Sequence, residues 1–170
     1  MDKLKTTSKR LQALVLLLIA LTPCAVALNA ATGEWAQLVG APAGILLDAT
    51  RIHGGALAAV IALGLIKPLA HMLAFWFLYK LLGLYRQGII FTAENVGAIR
   101  KIGWALVGID IASMARTVLA GPVLTAFDVT QGYVSVGLEA GFVTVGLFVV
   151  LVAHVMELGR ELKEQDDLVI

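Results

Sequence analysis

Six ionisable side chains interrupt the apolar stretches of this chain: Lys67, His71, Asp110, Arg116, Glu139 and His154. Such groups are costly at membrane depth and mark either ion pairing or function. Lys67 and His71 stand four residues apart and share one helix face. Arg116 and Glu139 are expected at similar depth toward the outer side, as an ion pair. Asp110 and His154 are expected to meet toward the inner side. Such pairs either staple helices together or form a proton relay or polar ligand pocket; stapling is the preferred reading. Lys67, beside Pro68, either snorkels outward or lines a hydrated cavity.

No catalytic constellation accompanies these residues, and the chain reads as a non-enzyme. HExxH, GxSxG and the phosphate-cradling GxxxxGK[ST] are all absent. The serines are Ser8, Ser113 and Ser135, and no His or Lys lies at a helical spacing from Ser113. His53, His71 and His154 fall on separate segments, so no metal site is expected, and no cofactor. Cys24, the single cysteine, excludes an internal disulfide framework and reads as a packing residue.

The elements that position these groups follow from composition. The 170 residues are 59% hydrophobic and 15% charged, with mean hydropathy +0.89, against about 45–50% and about 25% in soluble domains. A net charge of +1 argues against direct nucleic-acid binding. Crossing a bilayer takes roughly 20 apolar residues. Four stretches qualify: 11–28, 56–84, 102–124 and 134–158. The second is interrupted by Lys67 and Pro68 and reads as one long, kinked or tilted helix. The fold expected is all-α, a single integral membrane four-helix bundle over residues 1–170, with the lipid bilayer as its main partner.

Cations set the orientation. Lys3, Lys5, Lys9 and Arg10 precede the first span. Lys80, Arg86, Arg100 and Lys101 flank the second turn, and Arg160 and Lys163 follow the last span. Only Arg51 falls on the other side, outside the spans. Both termini are therefore expected in the cytoplasm. Trp76, Tyr79, Tyr85 and Trp104 would mark the inner interface, Trp35 and Tyr133 the outer. The first span could alternatively be a signal segment cleaved after its small residues.

Small residues at four-residue spacing would let helices approach closely: Gly54, Ala58 and Ala62; Gly108 and Ala112; and Gly137 and Gly141, with Gly146 beyond. Packing within one chain is the preferred reading, and a homo-oligomer face the other. In the segment 85–101, Gly88 breaks the second span. Thr92 reads as an N-cap, with Glu94 in the first turn, Asn95 at the capping-box position, and Phe91 and Val96 as a hydrophobic staple. One helix should therefore run from Thr92 into the third span, making a defined elbow. The tail 159–170 should continue the last span as a solvated helix, through Glu157, Arg160 and Glu164.

Gly88, Phe91, Thr92, Asn95, Ile99, Arg100, Ile102 and Gly103 in the elbow, with Gly159, Leu162, the acidic run Glu164 to Asp167, and Leu168 in the tail, carry a resemblance. Together they resemble the domain-of-unknown-function 2975 family of small bacterial integral membrane proteins. The family commonly closes with threonine after the last Asp-Leu, where this chain has Val169. The resemblance implies four spans with both ends inside. It assigns no activity. Because members are often encoded beside a small helix-turn-helix regulator, it implies a cytoplasmic transcription regulator as partner. Sensing and interaction is thus the expected role, with a small oligomeric transporter or channel, using the intramembrane charges, as the alternative.

Overall fold

A computed structural model describes residues 2–89, 92–137 and 140–166. The described chain is helical, with four helices long and apolar enough to cross a membrane. Helix α1 covers Asp2–Thr32, α2 Trp35–Val39, α3 Gly54–Arg86, α4 Ala93–Ala126 and α5 Gly141–Asp166. Packing follows chain order: α1 lies on α3, α3 on α4, and α4 on α5, with α2 lodged among α1, α3 and α4. The start of α1, the α3–α4 elbow and the end of α5 share one end of the molecule. The α2 segment and residues 127–137 occupy the other.

The outer faces explain why such a row of helices needs lipid. Leu14, Leu17, Phe148, Leu151 and Val155 are all more than half exposed. Leaving one such side chain in water forgoes about 1.5–3 kcal/mol, so several together require an apolar surround. Helix α1 buries only a narrow stripe, Ser8, Gln12 and Val15, at positions that share one helix face. Gln12 Nε2 donates to the Tyr79 carbonyl at 3.3 Å, which ties α1 to α3. At the elbow end Trp76 and Tyr79 stack, and the Lys80 ammonium lies 5.4 Å from the Trp76 ring centre. That arrangement suits a membrane–water interface.

The second stretch forms one unbroken helix, α3, through Lys67 and Pro68. Proline has no N–H, so the Gly64 carbonyl loses its helical donor. Helix α3 ends on Gly88 at φ +82°. Gly88 N–H reaches the Tyr85 carbonyl and Ile89 N–H the Leu84 carbonyl, each at 3.1 Å, a Schellman closure that favours glycine there. Thr92 then caps α4 by accepting from the Asn95 N–H, as its sequence position predicts, and α4 continues without a break to Ala126.

The fourth stretch differs from expectation. Helix α5 starts at Gly141, and residues 132–137 are not helical. Those residues pack down α4 as non-helical chain. The Tyr133 carbonyl lies against Gly121, where an added Cβ would come within 1.8 Å of it, and Gly137 sits beside Thr117. The spacing of Gly137 and Gly141 therefore makes no helix face. Gly146 does: its Cβ would fall 2.6 Å from the Gly103 carbonyl oxygen, and that of Gly103 2.8 Å from the Gly146 oxygen. The α4 and α5 backbones touch at that point. The larger core lies at the opposite end, where Leu38, Val39, Val60, Ala120, Leu124 and Val129 pack together.

Candidate functional site

Lys67 and His71 on α3 and Arg116 on α4 converge on one cleft of about 350 Å³, whose walls also come from α1 and α2. Its length of α3 is the Gly64, Lys67, Pro68, His71 and Phe75 face. Arg116 Nη1 donates to the Leu38 carbonyl at 3.3 Å, so the guanidinium braces the end of α2. Gly40, which closes α2 at φ +69°, leaves room for it: a Cβ there would meet Nη2 at 2.6 Å. His71 Nδ1 lies 2.9 Å from the Lys67 carbonyl. A carbonyl only accepts, so Nδ1 carries the proton in this contact, and Nε2 keeps its lone pair or a second proton. The ring stands edge-on to Phe142 of α5, with centres 5.6 Å apart.

The neutral polar groups of the cleft are occupied within their own segments. Thr22 donates to the Leu18 carbonyl, Asn29 to the Ala25 carbonyl, and Gln37 to the Glu34 carboxylate. Among the described residues that line the cleft, the basic ones are Lys67, His71 and Arg116. Among the described residues no group of three His, Cys, Asp or Glu side chains could hold a metal.

The expected meeting of Asp110 and His154 does not occur. Asp110 is buried on α4, and its Oδ2 accepts from the Val143 N–H at 2.8 Å. Val143 is in the first turn of α5, so Asp110 caps a neighbouring helix and faces the positive end of its dipole. His154 lies eleven residues farther along α5, about 16 Å away at 1.5 Å per residue, and is exposed. The pairing of Arg116 with Glu139 falls outside the described residues, because Glu139 is not among them.

At the elbow end the two sequence motifs come together. Val96 of α4 and Met156, Gly159, Arg160 and Lys163 of α5 line a cavity of about 410 Å³. Arg100 pairs with Glu157 across the two helices, and Arg160 with Glu164 along α5. Asn95 is fully buried, and its Nδ2 donates to the Ile89 carbonyl at 2.5 Å. A residue read as part of a cap thus also locks the chain entering the helix. Leu162 is exposed, and Gly159 has open space around it. Phe91, Asp167 and Leu168 lie outside the described residues.

Sequence reasoning missed Gly40, Leu38 and Val143 as partners of the buried charges. All three act through backbone, which leaves no residue-type signal; only the Gly40–Ala41 break after an apolar run marks α2's end.

No curated protein and no solved structure matches the chain. Residues 59–170, which cover most of α3, the elbow, α4 and α5, match the family described as Protein of unknown function (DUF2975), and the chain belongs to that family.

Proposed function

We propose that the protein is a non-enzymatic sensing and interaction module of the bacterial inner membrane, and that its elbow and tail present one face to a cytoplasmic partner. The observation that carries this reading is the juxtaposition of Val96 with Met156, Gly159, Arg160 and Lys163. Two motifs some 60 residues apart in sequence build one groove there. Next in sequence to these residues, Glu157 pairs with Arg100 of α4 and Asn95 is buried. The concentration of Lys and Arg at this end supports a cytoplasmic placement. The partner is a small helix-turn-helix regulator, whose own surface would bury an apolar side chain beside Met156 and offer carboxylates to Arg160 and Lys163.

The test is crosslinking of the chromosomally tagged protein in native membranes, beside a version lacking residues 159–170 and a Gly159→Leu variant. A regulator recovered with the full chain and lost in both variants supports the reading. Equal recovery from all three, or none from any, refutes it. The intramembrane cleft favours a second reading, a small oligomeric transporter. Substrate-dependent flux in proteoliposomes that Lys67→Gln abolishes would support that alternative.

A further inference from the structure

We propose that the open face between α3 and α4 at the elbow end holds an anionic phospholipid, with its phosphate on Lys80 and Lys101 and an acyl chain laid along the groove below them. Two adjoining hollows, of about 610 and 410 Å³, share Phe77 and Lys101 and so form one groove. On α4 it is lined by Gly97, Lys101, Trp104 and Gly108, and on α3 by Leu73, Phe77 and Lys80. Three- and four-residue spacings put each set on one face of its helix. At 100° per residue that face of α3 lies opposite Lys67 and His71, and the site needs no partner on α5. The first support is depth. Helix α3 ends at Arg86 and α4 starts at Ala93. At 1.5 Å per residue Lys80 lies about 9 Å and Lys101 about 12 Å from that end, and Trp76 and Trp104 about 15 and 16 Å. Two cations thus share one level and two indoles the next level down, the order of groups at a membrane interface. The Lys80 ammonium, 5.4 Å from the Trp76 ring centre, is held near the indole level. That contact uses the ring face and none of the three N–H donors, so it does not compete with a phosphate for them.

The second support is charge joined to shape. Below the lysines the walls are apolar and open: Leu73 is 51% and Trp104 56% exposed, and nothing lies within 4 Å of a Cβ added at Gly97 or Gly108. The floor is closed by buried Ala74, Ala105 and Ile109. From Lys80 down to Ala70, which lines the deep end, the groove runs ten residues, about 15 Å. That is half of a hydrocarbon core of about 30 Å, the depth one acyl chain reaches. Glu94 also lines the groove, seven residues before Lys101 and on its solvent side, so an anion is favoured at the lysines and not above them. Basic hollows between membrane helices suit acidic headgroups. A second copy of the chain fits worse. In a parallel pair about a two-fold axis the same surface meets itself, and the lysines of both copies would face one another at one depth.

The experiment uses the full chain in phosphatidylcholine vesicles that contain brominated phosphatidylglycerol or, at equal mole fraction, brominated phosphatidylcholine. Trp35, at the far end, is changed to phenylalanine, so the signal comes from Trp76 and Trp104. Bromine quenches these two when its chain lies in the groove, and the ratio of the two quenching curves gives the preference for the acidic lipid. Two lysines at about fivefold each predict a preference on the order of tenfold or more. Lys80→Gln and Lys101→Gln should each lower it about fivefold, and Lys101→Arg should retain it. Gly108→Leu, which fills the path of the chain and keeps both charges, should lower it as far. Lys9→Gln, on α1 at the same end, should leave it unchanged. A preference near one, equal losses from Lys9→Gln and Lys101→Gln, or no effect of Gly108→Leu would each overturn the proposal. So would displacement by inorganic phosphate beyond that by sodium chloride of equal ionic strength, which marks a free-anion site. A dimer in light scattering whose tryptophans neither lipid quenches would overturn it too, as a surface between copies.

Discussion

Replacing Gly146 by alanine should destabilise the protein, although helix propensity argues the opposite. Alanine is favoured over glycine in a helix interior by about 1 kcal/mol. At Gly146, however, a Cβ would lie 2.6 Å from the Gly103 carbonyl oxygen and 3.0 Å from the Val107 nitrogen. Ordinary contact begins at 3.4 Å, so α4 and α5 must part by up to about 0.8 Å locally. Both obstacles are backbone atoms, which cannot rotate aside. Overpacking of this kind typically costs 1–3 kcal/mol, and a gap of 0.5–1 Å forfeits a quarter to a half of each dispersion contact nearby. The steric term wins, for a net loss of about 1–2 kcal/mol after the propensity gain. Gly108 is the control: it sits inside α4 with nothing within 4 Å of an added Cβ, so Gly108→Ala should gain up to about 1 kcal/mol. Reversible unfolding in mixed micelles, followed by tryptophan fluorescence, gives both values. If the two substitutions shift stability in the same direction, the close backbone contact at Gly103 and Gly146 does not exist as described.

Asp110→Ala should cost about 1.5–3 kcal/mol, the worth of a hydrogen bond to a charged group, and speed amide exchange at Val143 above all; unchanged exchange there would remove Asp110 from its capping role. Asp48 titrates below its ordinary value, chiefly because the Thr50 hydroxyl and then the Thr50 N–H bond its carboxylate, with Arg51 beside it. Its contribution is therefore complete above the unfolded carboxylate's pKa and is lost as pH falls through the lower folded one. Exchange at residues 48–52 should stay flat from neutral to mildly acid pH and rise only in stronger acid, and Thr50→Val should move that rise to higher pH. Arg100 and Glu157 are each about a third or more exposed, so a double-mutant cycle should couple them by less than about 1 kcal/mol in stability; a larger coupling would mean the pair is buried by something bound at the elbow.

The spans were legible because apolar length is a local property. Three of the four run close to the stretches that hydropathy marks, and the elbow was legible for the same reason: Gly88, Thr92 and Asn95 act on backbone within a few residues of themselves. The start of the fourth span was not. Val134, Ser135, Val136 and Gly137 have the hydropathy of a span whether helical or extended. What makes them non-helical is contact with α4, through Tyr133 on Gly121 and Gly137 beside Thr117, and no window along the chain contains both partners.

That one displacement accounts for the different partner of Asp110. Once α5 begins at Gly141, its unpaired amides open beside residue 110 of α4, about 24 Å short of the C-terminal end of that helix at 1.5 Å per residue. Donors left bare at such depth are costly, so the nearest carboxylate is drawn to them. Asp110 then has no reason to seek His154, and His154 turns outward on α5. Likewise Arg116 braces the Leu38 carbonyl because α2 folds back beneath the loops, a turn written only in Gly40 and its neighbours. The family match begins at residue 59, so Lys67, His71, Arg116 and Asp110 all fall inside it, while Thr22, Asn29, Gln37 and Leu38 fall outside. The charges of the cleft and its outer wall thus belong to different parts of the chain. The types of the charged residues could be read directly, whereas the Leu38 carbonyl that Arg116 reaches and the Val143 N–H that Asp110 accepts from could not, because each is a backbone group presented by a segment whose course is fixed only in three dimensions.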